Sequence, residues 1–536
     1  MPLRLAHPFL RSWLPAKLVL AGAFTLCTHT PCHAQGQQSA PATLPCESAQ
    51  VSEERVTLAL LKQCSDANSA EAMFQLFEKQ RLIDKEQAKQ WPRQVDTGDV
   101  FRKRQINELA WAVQFILRQA SQPGADSRAR NAASALLQGK AQSALDELAR
   151  STDTPALTLR AMAALQRTLD LNASAGTLAK ALELNPKQFG LLQAAADVAH
   201  IQKKAELAEK LYQRLVAQAK ETLAGQPQDP FSLHQLATAL DDLGDAQAEL
   251  NQMTQALGSY QAALEIWQAR LKEQAEYLLW QVYTAQSWQK LGSIQYEQGQ
   301  FSASGTSLQA AQALYQKLAL THAQAGNQLW ASASISNSIR LGDTQLRAKQ
   351  HAAALASYKT GLAIAAKLNA SAPKEAQWQR DLATIYQRMG DLYQFQHQGE
   401  QAMAQYNAAL MLRQRLAGPN DDDNPVLQGQ IIFIENRLAD LQSNLGLPDA
   451  ALSNYQAALA LATHLANKVK VNEFKLVQAN LMGKIGLLEG STLKDDERRA
   501  MLKEGIALLE ADPSNLPNFL SELLEKMRTA IAHPLP

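Results

Sequence analysis

The sequence predicts an all-α solenoid of antiparallel helix pairs, on three observations. The first is the stretch Trp378–Ala417. Trp378, Leu382, Ile385, Met389 and Leu392 recur at steps of four, three, four and three, which keeps one apolar stripe on one helix face. After a break around His397–Glu400, Ala402, Met403, Tyr406, Ala409, Leu410 and Leu416 form a second stripe. Neither helix buries its stripe alone, so the two pack as an antiparallel pair. The second observation is that this pair recurs. With Gly390 as anchor, its counterparts are Gly244, Gly292, Gly342 and Ala439, at successive steps of 48, 50, 48 and 49 residues. The third is composition. Hydrophobic residues make up 46 % and aromatic residues 6 % of the 536, alanine, glutamine and leucine abound, and β-branched runs are few, which favours helices over sheets.

The register extends well beyond the anchors. Twelve residues after them stand Ala256, Ser304, Ala354, Ala402 and Ala451, and sixteen after stand Tyr260, Leu308, Tyr358, Tyr406 and Tyr455. Nineteen after stand Ala263, Ala311, Gly361, Ala409 and Ala458, and twelve before three of the anchors stand Trp280, Trp330 and Trp378. A fixed period means stacked supersecondary units. Gly390 lies inside a helix, where glycine costs roughly 1 kcal/mol against alanine, so it predicts the close approach of a neighbour. Tyr406 is expected to fill the gap between its own helix pair and the next.

Tyr386-x2-Met389-Gly390-x2-Tyr393, followed by Ala402, Tyr406 and Ala409, resembles the tetratricopeptide repeat (TPR), and Trp288-x2-Leu291-Gly292 repeats its opening. Two features depart from the pattern. The period is near 50 residues, against about 34 for the ordinary repeat, and helix-compatible residues such as Gln414 replace the closing proline. The longer helices resemble the long-helix TPR variety of bacterial proteins. The resemblance covers the C-terminal three-fifths well and the middle more weakly. It implies a right-handed superhelical solenoid and a protein- or peptide-binding role, with no partner named.

Residues 1–34 read as a secretory signal: Arg4, Arg11 and Lys17 precede an apolar core, Leu18–Cys27, and Cys32-His33-Ala34 offers small residues for cleavage after Ala34. The core is too short for a bilayer, which needs about 20 residues. The residues before Cys27 suit lipidation poorly. The expected location is periplasmic or secreted, with no membrane span in the mature chain. Cleavage takes the formal charge from +1 to −2, a balance that argues against nucleic acid as main partner. Residues 35–45 read as a disordered leader. In an exported chain the remaining cysteines, Cys46 and Cys64, suggest one disulfide.

Residues 46–125 read as an N-terminal helical region and 126–226 as short degenerate repeats. Ala208 and Tyr212 there carry the offset of Ala402 and Tyr406. Residues 227–475 read as five long repeats. Residues 476–536 close the array with a shortened pair, 481–488 and 497–509, and a capping helix, 516–531, for which Ser514 is the expected N-cap.

Catalytic and metal motifs do not emerge. There is no HExxH, GxSxG, P-loop or dinucleotide fingerprint, and no cofactor or metal is expected. In Asn420–Asn424 a calcium loop fails, because Pro425 stands where glycine is needed and an isoleucine where glutamate is needed; the run reads as a solvated loop. The tryptophan row at 280, 330 and 378 reads as packing, with a ligand-stacking ladder as the alternative. One charge constellation remains. Two residues before the anchors stand Lys290, Arg340, Arg388 and Arg437, and one residue after stand Asp245, Asp343, Asp391 and Asp440. In a TPR these offsets face the inner groove. A separation of three allows pairing along one helix, so the rows are either a solubilising ion-pair ladder or a groove that reads a peptide by charge. Aspartates in the inner row count against the carboxylate clamp of some TPR domains. The leading function is an exported protein-interaction scaffold that is not an enzyme. The alternatives are a structural part of an envelope assembly bound through its outer face, and a hydrolase with its site in 46–125.

Overall fold

The computed structural model describes residues 100–532 apart from 139, 151–153, 168, 322–326, 374, 418–423, 470–471 and 512–515. The signal and leader, Cys46 and Cys64, most of the 46–125 region, Asp421–Asp423 and Ser514 lie outside the described residues. Those described form twenty helices and no strand. They divide into two compact units, one ending at Leu314 and one beginning at Tyr315.

In the first unit α1 (Val100–Ser121) is followed by short pairs: α2 (Ser127–Leu137) with α3 (Ala141–Ala149), and α4 (Ala156–Gln166) with α5 (Leu171–Leu184). Then come α6 (Phe189–Ile201) with α7 (Ala205–Gly225), α8 (Pro230–Glu249) with α9 (Met253–Glu273), and α10 (Leu278–Glu297) with α11 (Phe301–Thr321), whose end passes into the second unit. The breaks have local causes. Asp126, Asp170 and Asp229 cap α2, α5 and α8 by accepting from backbone N–H groups of the first turn. Pro230 opens α8, where its missing N–H costs nothing.

The second unit holds α12 (Asn327–Arg347) with α13 (His351–Ser371), α14 (Ala376–Phe395) with α15 (Gly399–Ala417), and α16 (Pro425–Asn444) with α17 (Pro448–Val469). It ends with α18 (Asn472–Gly486), α19 (Asp495–Glu510) and α20 (Asn518–Ala532). The last pair and cap differ from the expected bounds. α18 begins nine residues earlier than Leu481, and α20 begins after Pro517, whose carbonyl accepts from Leu520 and Ser521, so Leu516 precedes the helix. Gly486 thereby becomes a further anchor, and Ala196 in α6 another.

The six turns inside the pairs from α6–α7 to α16–α17 are built alike. Seven residues past the anchor, Lys203, Asn251, Gly299, Lys349, His397 and Gly446 all adopt left-handed φ between 60° and 75°. The next residue's N–H reaches back five residues to a helix carbonyl, as in Gln350→Gln345 at 2.7 Å and Gln398→Tyr393 at 2.9 Å. This is a Schellman closure, and it fixes how the second helix folds back. The helices are long, but the turn geometry between them is constant.

The anchors explain the packing. A methyl group on Gly390 would meet the Tyr406 ring at 2.8 Å, on Gly244 the Tyr260 ring at 2.6 Å, and on Gly292 and Gly486 the Leu308 and Leu502 side chains at 2.7 and 2.5 Å. The close approach predicted at Gly390 is therefore made by the side chain sixteen residues on. Tyr406 lies against its own pair and also joins the cluster with Ile434 and Leu438 of the next, so the gap between pairs is only half of what it fills. Where Ser304 replaces the recurrent alanine, its hydroxyl donates to Gly292 O at 2.7 Å, which satisfies the buried group.

Candidate functional site

The two charge rows stand on the first helices of successive pairs, and the structure ties them into spines. Each recurrent tyrosine donates its hydroxyl to the aspartate of its own pair: Tyr260 to Asp245 at 2.5 Å, and Tyr358 to Asp343, Tyr406 to Asp391 and Tyr455 to Asp440 at 2.6 Å. Tyr212 does the same to Asp197 at 2.9 Å, one pair earlier. In the α10–α11 pair both positions differ together, as Ser293 and Leu308. Burial and the facing carboxylate push these phenols well above their usual pKa, so each remains a donor.

The cations meet these aspartates across the pair boundary. Lys290 lies 2.9 Å from Asp245, Arg388 3.3 Å from Asp343, and Lys484 2.5 Å from Asp440. Beyond the pairing along one helix expected for Arg388 with Asp391, the structure shows a bridge of about one repeat. The reason is positional: the Tyr406 hydroxyl already holds Asp391 from the second helix, while the next helix over brings the cation alongside the preceding aspartate. Asp391 feels both neighbours. Burial raises its pKa, and Arg388 and Arg437 partly offset that.

The two units use the same spine differently. In the first it is closed. Lys290 and Asp245 are almost fully buried, and although burial works against the ammonium, Asp245, Asp241 and Asp242 hold its pKa above the ordinary value. One pair earlier, Asp242 occupies the position of the cation. Two buried carboxylates, Asp197 and Asp242, then face each other, and Arg104 from α1 supplies the charge. It bonds both oxygens of Asp242 at 2.6 and 2.7 Å and reaches Asp197 at 3.3 Å. Around this network Trp267 stacks on Tyr283 at 4.6 Å and donates to Asp241 at 2.9 Å, with His234 and Trp280 alongside. Burial drives His234 down to about 4. Trp280, Trp330 and Trp378 are all buried, so the tryptophan row packs.

In the second unit the spine is open. Arg388, Asp343, Lys484 and Asp440 keep a quarter or more of their side chains exposed. Arg437 makes no ion pair with Asp391; its guanidinium stands 5.1 Å over the Phe433 ring. Of the eight charged residues singled out in the sequence, the buried Asp245 and Lys290 serve the fold, whereas Asp343, Arg388, Arg437 and Asp440 lie on a partly open face. Arg340 lies on α12 and is also half-buried.

Sequence reasoning missed a parallel hydrogen-bonded row. Glutamine three residues past the anchor accepts from the residue fifteen past it: Ser259→Gln247, Ser307→Gln295, Ser357→Gln345 and Asn454→Gln442, each at 2.7 Å. In the α14–α15 pair Tyr393 and Gln405 stand at these two positions, and Gln394, four past the anchor, lies 2.9 Å from the Tyr406 hydroxyl. The signal was a recurrence at two further offsets. Arg104 and Lys484 were missed for different reasons, the first lying outside the repeats and the second in a shortened one.

The described residues adopt an all-α helical-repeat fold of the TPR-like type. No family model matches it, and neither does any curated protein. Solved structures similar to it include BtubC (BKLC) from P. vanneervenii, 14 % identical, with a TM-score of 0.37, covering 49 % of this chain and 92 % of that one. The apo form of the quorum sensor NprR from B. thuringiensis is 13 % identical with a TM-score of 0.37, covering 74 % and 99 %. The S. pombe nuclear import adaptor Nro1 is 13 % identical with a TM-score of 0.36, covering 55 % and 98 %. Among the described residues no group of side chains could hold a metal, and no helix is long and apolar enough to cross a membrane.

Proposed function

We propose that this chain is an exported protein-interaction scaffold that binds a protein or peptide along the first-helix face of its second unit, and that it works by surface chemistry without catalysis. The observation that carries this is the open spine: the aspartates are held by tyrosine hydroxyls, while cations of the same rows remain partly exposed and Arg437 has no carboxylate within ion-pair distance. A rigid frame with a charged, partly open face suits recognition, because preorganised groups bind without ordering costs. The partner is expected to be protein or peptide, not nucleic acid, given the near-neutral chain.

The test is capture of the native partner by the wild type and by the Arg340→Ala, Arg388→Ala, Arg437→Ala triple variant, at low and moderate salt. Weaker, more salt-dependent capture with unchanged helicity supports the reading; unchanged capture at both salts returns the rows to a solvated ion-pair ladder. Export is tested separately by mass spectrometry of the mature N-terminus. Cleavage after Ala34 is expected, and a chain beginning at Met1 or a lipidated Cys27 contradicts it.

A further inference from the structure

Arg413 is a buried arginine of the second unit that stands outside the two charge rows. It stands on α15, the second helix of its pair, and is 4 % exposed. Its side chain passes to the first helices of two successive pairs. One terminal nitrogen bonds Gln387 Oε1 on α14 at 2.8 Å, and the other bonds Gln430 Oε1 on α16. Its Nε is buried with no hydrogen-bond partner. No carboxylate lies within ion-pair distance of it, and the neighbouring charge that acts on it is that of Arg388, another cation. Burial, then Arg388, pushes its pKa down to about 10.

A buried charge of this kind is costly. Desolvated cations in proteins are ordinarily compensated by an acid, and glutamine oxygens supply dipoles but no charge. Gln387 and Gln430 are half-buried and lie on the same helices as Arg388 and Arg437. They therefore hold the guanidinium from the two helices that also carry Arg388 and Arg437. Two turns along α16 from Gln430 stands Arg437, whose guanidinium lies over the Phe433 ring and acts on Asp391 only from beyond ion-pair distance. Seven helical residues span about 10 Å, the length of about three residues of extended chain.

We infer that this face of the second unit binds an acidic peptide segment in extended form, with one carboxylate replacing the glutamine oxygens at Arg413 and a second, three residues along, at Arg437. The inference rests on the scaffold reading above and gives it a partner chemistry. An incoming carboxylate offers Arg413 two charged acceptors in place of two neutral ones, and a fork-shaped guanidinium suits that exchange. Arg388 strengthens the field at the first position.

The experiment uses the full chain and two fluorescein-labelled peptides of glycine, serine and alanine. One carries two glutamates three residues apart, and its twin carries glutamines. Anisotropy at low salt is expected to show the glutamate peptide binding about tenfold tighter or better, with the preference shrinking as salt rises. Arg413→Gln and Arg437→Gln each remove most of that preference. Arg528→Gln, at an exposed pair with Glu510 on the last helices, leaves it unchanged. Melting temperatures are read on the same samples. Arg413→Gln removes a buried charge and is expected to keep the fold; if it does not, Arg437→Gln decides alone. Equal binding of the two peptides, binding of neither up to millimolar concentration, or a preference that survives Arg437→Gln overturns the inference. A native partner that responds to the triple variant but not to acidic content overturns this inference and leaves the scaffold reading standing.

Discussion

Arg388 lies 3.3 Å from Asp343, one repeat back along the chain, although Asp391 stands three residues away on its own helix. The cation thus joins two helix pairs. Tyr358 donates to the same carboxylate oxygen at 2.6 Å, so Asp343 links the second helix of its own pair to the first helix of the next. Such a spine fixes the register between neighbours, and in a solenoid the neighbour interface decides cooperativity.

Exposure sets what each link is worth. Arg388→Ala breaks a link that is about a quarter exposed, so it should cost no more than about 1 kcal/mol. Arg104→Ala leaves Asp197 and Asp242 buried without their cation, and a loss of about 3–5 kcal/mol is expected. Chemical denaturation of both variants measures the contrast; equal losses would show that burial does not separate the two spines.

The glycine anchor should resist alanine where tyrosine covers it. Gly390→Ala gains roughly 1 kcal/mol of helix propensity but forces the Tyr406 ring away, at a typical cost of about 1–3 kcal/mol for overpacking. A net loss is expected. Tyr406→Ala should cost about 3–5 kcal/mol, concentrated in residues near α14–α16. Hydrogen exchange reads both effects, and loss of protection spread evenly over the described residues would contradict the local origin.

Glu435 gives the second unit a pH signature. It is buried, its Oε2 has no partner, and burial raises its pKa to about 7. A carboxyl whose folded pKa exceeds the unfolded one binds more protons when folded, so its contribution declines as pH rises from about 4.5 to about 7 and is constant above. Glu435→Gln should therefore stabilise the protein at pH 8, by up to a few kcal/mol, and have little effect at pH 4. Asp381, raised to about 7 by burial, works in the same direction and remains in both proteins. Thermal unfolding across this range checks it; parallel curves would refute the assignment to Glu435.

Much of the fold was legible because a repeat writes the same contact many times. Gly390 and Tyr406 recur at fixed offsets, and their steric relation follows from one packing geometry. The turn at His397 was visible as a break but not as a left-handed residue, since Lys349 and Asn251 adopt that conformation as Gly299 does. The tyrosine–aspartate bond was present in the sequence as two recurrent columns, but nothing in one dimension says which columns touch. Arg104 and Arg413 were illegible for a further reason. Each acts once, outside the periodic pattern, on positions 93 to 138 residues away in one case and on two different helix pairs in the other. The candidate site was thus half visible: its rows were legible, while its open and closed halves needed burial to tell apart.

The central claim is that a partner lies along the first-helix face of the second unit. The most direct measurement places a photo-cross-linking residue at Phe433 on α16 or, separately, at Met411 on α15, both exposed and in neighbouring pairs. Irradiation of cells producing each variant follows, with adducts identified by mass. The account predicts one protein adduct from position 433 that is lost in the Arg413→Gln, Arg437→Gln background, and none from position 411. Adducts from position 411 alone, or none from position 433, would contradict it.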